Sequence, residues 1–176
     1  MREIAPDLFH LNGFPPSAFN VYAIRSDDGW ILVDTGTRFA RPRIMRQLPG
    51  DLEAILVTHA HRDHAGAMHA VARATGAPVW AAAPDADSLE GRAPEPFPEE
   101  SRDLLVNRLF GKVWRWDPHP VARRLAEGDQ VAGFEVVPFP GHTPGQVGLW
   151  RTSDRVVICA DTMRSVNLSS REDVNP

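Results

Sequence analysis

Apolar residues in this chain come in short runs separated by polar, glycine- and proline-rich punctuation. Residues 19–24 and 30–33 read as two strands, with Ser26-Asp27-Asp28-Gly29 as the hairpin turn between them. A helix is expected over 41–48, closed by Pro49-Gly50. Ala54-Ile55-Leu56-Val57 is continuously apolar, the pattern of a strand covered on both faces. A helix over about 65–74 follows, with Gly76 placed to end it, and residues 78–81 read as the next strand. Strand–helix–strand alternation of this kind predicts an α/β layered domain.

The pattern changes after residue 91. Residues 92–120 open with Pro94, Pro96 and Pro98, then give a candidate helix at 101–110 and two tryptophans, Trp114 and Trp116. This stretch reads as an insertion or lid outside the main sheet. Strands are expected again at 131–139, 146–150 and 156–160. A length of 176 residues suits one domain with a substantial core.

Composition narrows the function by exclusion. A net charge of −4 offers no long-range attraction to phosphate backbones, so nucleic acid is not an expected partner. The single cysteine, Cys159, rules out an internal disulfide and sits in an apolar run where a small buried thiol is the simple reading. No apolar stretch approaches membrane-spanning length and the first residues lack the apolar core of a signal peptide. A cytoplasmic protein without a membrane partner is the resulting expectation.

The chemistry is concentrated behind the apolar strand at 54–57. There the chain reads Thr58-His59-Ala60-His61-Arg62-Asp63-His64-Ala65-Gly66, three histidines and an aspartate within six positions. Imidazoles and carboxylates are the donors that borderline divalent metals prefer. Residues two apart in an extended turn project to one side, so His59 and His61 can grip a single ion. A helix cap would need one polar residue here and would explain none of the histidines. Two further pieces have the same placement at a strand's C-terminal end, where α/β sheets gather their sites. One is His142 in the tight turn Pro140-Gly141-His142-Thr143-Pro144-Gly145, and the other is Asp161, directly after the strand ending at Ala160. His10, His69 and His119 are isolated and read as surface or satisfied core residues.

With these elements in hand, the sequence resembles the metallo-β-lactamase superfamily. The resemblance rests on Val33-Asp34-Thr35-Gly36, the His59 to His64 cluster, the turn carrying His142 and Ala160-Asp161-Thr162, in the family's order. It implies a four-layer αββα sandwich of the α/β (α+β) class, here expected to lack its C-terminal strand and helix. It further implies that His59, His61 and His142 hold a first metal, that Asp63 and His64 bind a second, and that Asp161 bridges the two. Asp34 matches a residue that supports the metal loop from behind the ligands, as metal-bound imidazoles require. One departure is visible: family members with two metals carry another histidine beyond the bridging aspartate, and none follows His142 in this sequence.

The expected cofactor is zinc, one or two ions, with iron or manganese as alternatives. The expected activity is hydrolysis of a small ester, thioester or lactone, in which the metal makes a bound water a nucleophile near neutral pH. Asp63 is the expected catalytic base, a carboxylate placed to orient that nucleophile and take its proton. Phe14, Trp114, Trp116 and Arg164 are candidate substrate contacts, with ordinary packing or a solvent-facing arginine as the competing readings. Two other functions fit the same residues: a mononuclear iron dioxygenase acting on persulfides through positions matching His59, His142 and Asp161, and a non-catalytic, metal-poor scaffold. A nuclease of the same fold would need a basic surface that this composition lacks. An exposed sheet face left by the missing elements would favour self-association.

Overall fold

In the computed structural model, which describes residues 1–13, 19–96 and 115–163, every residue of strand β4 (Trp30–Val33) is buried. The strand has a layer on each side. Trp30 and Leu32 belong to a core cluster with Ile44, Met68 and Val71 from helices, whereas Ile31 and Val33 belong to one with Phe134, Val136 and Leu149 from a second sheet. Strand β5 (Leu52–Val57) divides in the same way, Ile55 and Val57 toward the helices and Ala54 and Leu56 toward the second sheet. Period-two side-chain alternation in a strand buried on both faces thus builds two cores on one backbone.

The first sheet has seven strands in sequence order. β1 (Arg2–Ala5), β2 (Leu8–Asn12), β3 (Asn20–Arg25) and β4 pair antiparallel, then β4, β5, β6 (Val79–Ala82) and β7 (Val121–Leu125) pair parallel. Parallel neighbours need crossovers. Three of the connections carry α1 (Arg41–Met45), α2 (Met68–Thr75) and α3 (Ala83–Leu89), whose Ile44, Met68, Val71 and Leu89 all reach the same helix-side core. The second sheet is antiparallel, in the order β11 (Val156–Ile158), β10 (Val147–Arg151), β9 (Phe134–Pro138), β8 (Gln130–Val131). The result is an α/β sandwich of helices, sheet and sheet. Among the described residues no helix covers the outer face of the second sheet, where Val157 is 40% exposed.

Several sequence expectations shift. The strand expected over 131–139 is two strands, because Ala132 and Gly133 both take positive φ (45° and 81°) and turn the chain back on itself. The helix expected from residue 65 begins at Met68, since Ala65 and Gly66 belong to the loop before it; it ends as expected, with Gly76 left-handed and its N–H on Ala72 O. The stretch read as a lid up to residue 120 gives way at once to β7, and Trp116 is 2% exposed within the helix-side core. Trp116 therefore packs in this core, in keeping with the competing reading given for it from the sequence. The helix expected at 101–110 lies outside the described residues.

The two sheets are joined at one edge by a backbone bond: Val147 N–H, at the start of β10, donates to Thr58 O just beyond β5 (2.9 Å). Gly66 closes the same region. A β-carbon there would lie 2.4 Å from both Arg38 N and Arg62 O and 2.6 Å from Gly36 O, all backbone atoms that cannot swing away. Gly66→Ala is expected to cost about 3 kcal/mol or more through this overlap. Gly76→Ala, left-handed but with nothing within 4 Å of the added carbon, should cost only about 1 kcal/mol. Urea unfolding of the two variants measures the difference; equal losses would contradict the steric reading.

Candidate metal centre

The loop after β5 folds back on itself. His61 N–H bonds to His59 O (3.0 Å), and His64 and Ala65 N–H both bond to His61 O (3.0 and 2.8 Å). This coil turns three imidazoles toward one point, with His59 fully buried and His61 5% exposed. His142 arrives from the turn between β9 and β10, its ring 5.0 Å from that of His59 and 4.5 Å from that of His61, centroid to centroid. Two sets of ligand atoms lie within 4.8 Å of one another: His59, His61 and His142, and His59, His64 and Asp161. Asp63 stands beside these sets, with Oδ2 3.8 Å from His64 Nε2. Asp161 is on a single 3-10 turn after β11 (Ala160–Thr162), where its Oδ1 lies 3.2 Å from His64 Nε2 and its Oδ2 3.4 Å from His142 Nε2.

Hydrogen bonds behind the rings decide which nitrogen faces inward. Thr58 Oγ1–H donates to the carboxylate of Asp34 (2.8 Å to Oδ2), so its oxygen accepts from His59 Nδ1–H (3.1 Å). That proton placement leaves His59 Nε2 a bare lone pair, and Nε2 is buried with no hydrogen-bond partner. A buried, unsatisfied polar atom costs about 1–3 kcal/mol, and a cation is the natural complement to a lone pair ringed by other imidazoles. His61 Nε2–H donates to Pro96 O (2.7 Å), which leaves Nδ1 as the ligand atom. His64 Nδ1–H donates to Asp34 Oδ2 (2.7 Å) and turns Nε2 toward Asp161. Neutral imidazoles with one carboxylate suit zinc, iron or manganese, so the donor set fits a borderline divalent ion.

Electrostatics separate the histidines. Burial, reinforced by the neighbouring His64 and His61, holds the pKa of His59 far below the ordinary imidazole value. Burial also disfavours charge on His64, but the charge of Asp34 and hydrogen bonds to Asp161 and Asp34 prevail, and its pKa is well above 6.5. Protonated on both nitrogens, His64 bridges the two carboxylates; release of the Nε2 proton makes it a ligand. The hydrogen bond from His64 in turn depresses the pKa of Asp161.

Three features carry no signal in the sequence. Arg62, between His61 and Asp63, forms a bidentate pair with Glu95 (Nε–Oε1 3.1 Å, Nη2–Oε2 2.7 Å), and its backbone N–H reaches the same carboxylate. With Pro96 O on His61, Glu95 and Pro96 are thereby fastened to the histidine loop. Asp85 is a second buried carboxylate near the ligands. A cavity of about 370 Å³ opens beside His142 and Asp161, walled by Phe139, Pro140, Gln146 and Thr162. Of the expected substrate contacts, Phe14, Trp114 and Arg164 lie outside the described residues. His10, His69 and His119 join neither ligand set; His10 meets Asn20, and the other two pair with each other. Cys159 is half-buried.

The profile of the metallo-beta-lactamase superfamily matches residues 15–171, and the chain belongs to that family. It is 27% identical to the probable metallo-hydrolase YflN of Bacillus subtilis (strain 168), over 93% of this chain and 68% of the relative. It is 30% identical to a hydroxyacylglutathione hydrolase of Albidiferax ferrireducens, over 82% of this chain and 48% of the relative. Among solved structures, TTHA1623 in a di-iron-bound form superposes with TM-score 0.68 at 30% identity, covering 88% of this chain and 73% of that one. The class B3 di-zinc metallo-beta-lactamase LRA-12 from an Alaskan soil metagenome gives 0.65 at 26% identity, covering 84% and 55%. The chain thus spans between 48% and 73% of the length of these four proteins.

The hydrogen-bond chain behind the rings makes a specific forecast. Asp34→Asn replaces one acceptor oxygen by a donor, so Thr58 N–H on Oδ1 and His64 Nδ1–H on Oδ2 cannot both keep their bonds and the support behind the rings is lost on one side. Zinc affinity, measured by competition with a chromogenic chelator, should fall about 10- to 100-fold. Unchanged affinity would show that the tautomers are not set from Asp34.

Proposed function

We propose that the chain is a metal-dependent hydrolase acting on a small ester, thioester or lactone. The observation that carries this reading is the partnerless, buried Nε2 of His59 facing the ligand atoms of His61 and His142, the last of which lines an open cavity. His59, His61 and His142 would hold one ion, and His64 and Asp161 would contribute to a second. Such an ion supplies a Lewis acid and a water acidic enough to serve as nucleophile near neutral pH. The similarity to hydroxyacylglutathione hydrolases and to a probable metallo-hydrolase supports hydrolysis over other chemistries of the fold.

The protein's own groups then divide the work. Asp161, its pKa depressed by the hydrogen bond from His64, stays a carboxylate and accepts hydrogen bonds from either side. Asp63, partly exposed beside His64, is positioned to take the proton of the attacking water and pass it to solvent. Phe139 and Pro140 would offer the substrate an apolar wall, with Thr162 on the same side held by a hydrogen bond from Gln146 Nε2 (3.0 Å).

The test is a metal assay and a substrate panel on protein expressed without added metal. Hydrolysis of at least one ester, thioester or lactone is expected, and His142→Ala should lose stoichiometric metal together with roughly 100-fold or more of the rate. One iron per chain with thiol-dependent oxygen uptake and no hydrolysis would instead establish the persulfide dioxygenase. Retention of stoichiometric metal by His142→Ala would refute the ligand assignment.

A further inference from the structure

We infer that Asp85 is a positioning residue that holds the imidazole ligands of the two sheets at their common spacing. His59 and His61 come from the end of β5 in the first sheet, and His142 from the β9–β10 turn of the second, so no continuous stretch of chain sets their separation. Asp85, near the start of α3 and 1% exposed, reaches both loops. Its Oδ2 accepts the backbone N–H of Ala60 (2.8 Å), the residue between His59 and His61, and also the hydroxyl of Thr143 (2.7 Å), the residue after His142. Its Oδ1 accepts the backbone N–H of Gly145 (2.8 Å), three residues beyond His142.

Each of these donors lies within three residues of a ligand, and two of the three are directly adjacent to one. Thr143 is itself 1% exposed. The approach is also sterically closed: a β-carbon on Gly145 would lie 2.7 Å from Asp85 Oδ1 and 2.6 Å from its backbone nitrogen. A carboxylate has lone pairs for all three donors; an amide keeps one oxygen and turns two N–H groups toward positions that hold donors. Asp161 also faces both loops, through His64 and His142, but it does so as a ligand, whereas Asp85 is in neither ligand set. A further tie between the loops, Val147 N–H to Thr58 O, is backbone alone. Substitution at Asp85 should therefore loosen the ligand spacing while leaving every ligand atom in the chain.

The inference rests on the metal-site reading but not on hydrolysis, so the experiment reads metal binding. Zinc(II) and cobalt(II) are titrated into chelator-treated full chain of wild type, Asp85→Asn, Thr143→Val and Val136→Ala, the last a change at a buried residue of β9 in the core between the sheets. Asp85→Asn is expected to bind zinc about 10- to 100-fold more weakly and to show altered cobalt d–d absorption at saturation. Thr143→Val should shift both in the same direction by less, which keeps the idea testable if Asp85→Asn does not fold. Val136→Ala should lower the unfolding temperature without either change. Wild-type-like affinity and spectrum in folded Asp85→Asn, or in Thr143→Val where the former does not fold, would overturn the assignment. So would an equal affinity loss in Val136→Ala, since stability alone would then account for the effect. Metal binding as expected without any hydrolysis would sink the proposed activity and leave the role of Asp85 standing.

Discussion

The site depends on a carboxylate whose hydrogen bonds lie behind the ligands. Asp34 ends β4 with a positive φ of 63°, a conformation that aspartate tolerates better than most residues, and its N–H is held by Leu56 O on β5. Asp34 is 4% exposed, a burial that would cost its carboxylate several kcal/mol if unanswered. Three donors answer it: Thr58 N–H, Thr58 Oγ1–H and His64 Nδ1–H. Those same bonds select the inward nitrogen of two imidazoles. Folding and ligand geometry are thus settled by one set of contacts, and neither can be changed independently. Thr35, the next residue, adds a backbone and a hydroxyl bond to His64 O, so the Asp34 turn and the histidine loop interlock along their length.

The two cores explain why this edge is rigid enough to be a site. β4 and β5 are shared by both, packed by helices on one face and by the second sheet on the other. Their C-terminal ends therefore have little freedom, and the loops that leave them start from fixed points. The Thr58–Val147 bond and the hydrogen bonds of Asp85 join the two sheets again where the imidazoles converge. An ion held by His59, His61 and His142 would join the same two sheets once more, so metal binding and folding share one free energy.

How much of this was legible follows from how local each signal is. β4 was read with its observed bounds and β5 nearly so, because burial on both faces leaves an uninterrupted apolar run. The end of α2 was legible from Gly76, since a left-handed cap favours one residue type. The histidine cluster was legible as a candidate site because neither helix capping nor core packing calls for three histidines within six positions. β1 and β2 were missed: β1 is almost wholly exposed, and its register with β2 involves no apolar alternation that a sequence pattern could show. β7 was obscured by Arg123 and Arg124 in a five-residue strand. Trp116 stayed ambiguous between packing and substrate contact because its core neighbours come from the first 90 residues of the chain. Asp85 gave no signal, as an aspartate behind Ala83-Pro84 reads as an ordinary first-turn acid, and its partners lie 25, 58 and 60 positions away.

The two ligand sets also differ in what an incoming ion must displace. At the first, His59 Nε2 has no hydrogen bond to lose, and the tautomers of His59 and His61 are set by bonds on the far side of the rings. At the second, His64 and Asp161 face each other at 3.2 Å, and the pKa of each is shifted by the other in the direction that strengthens the pair. An ion there would have to replace this charge-assisted hydrogen bond. Asp34 stands behind both sets, and of the imidazoles it pairs directly with His64.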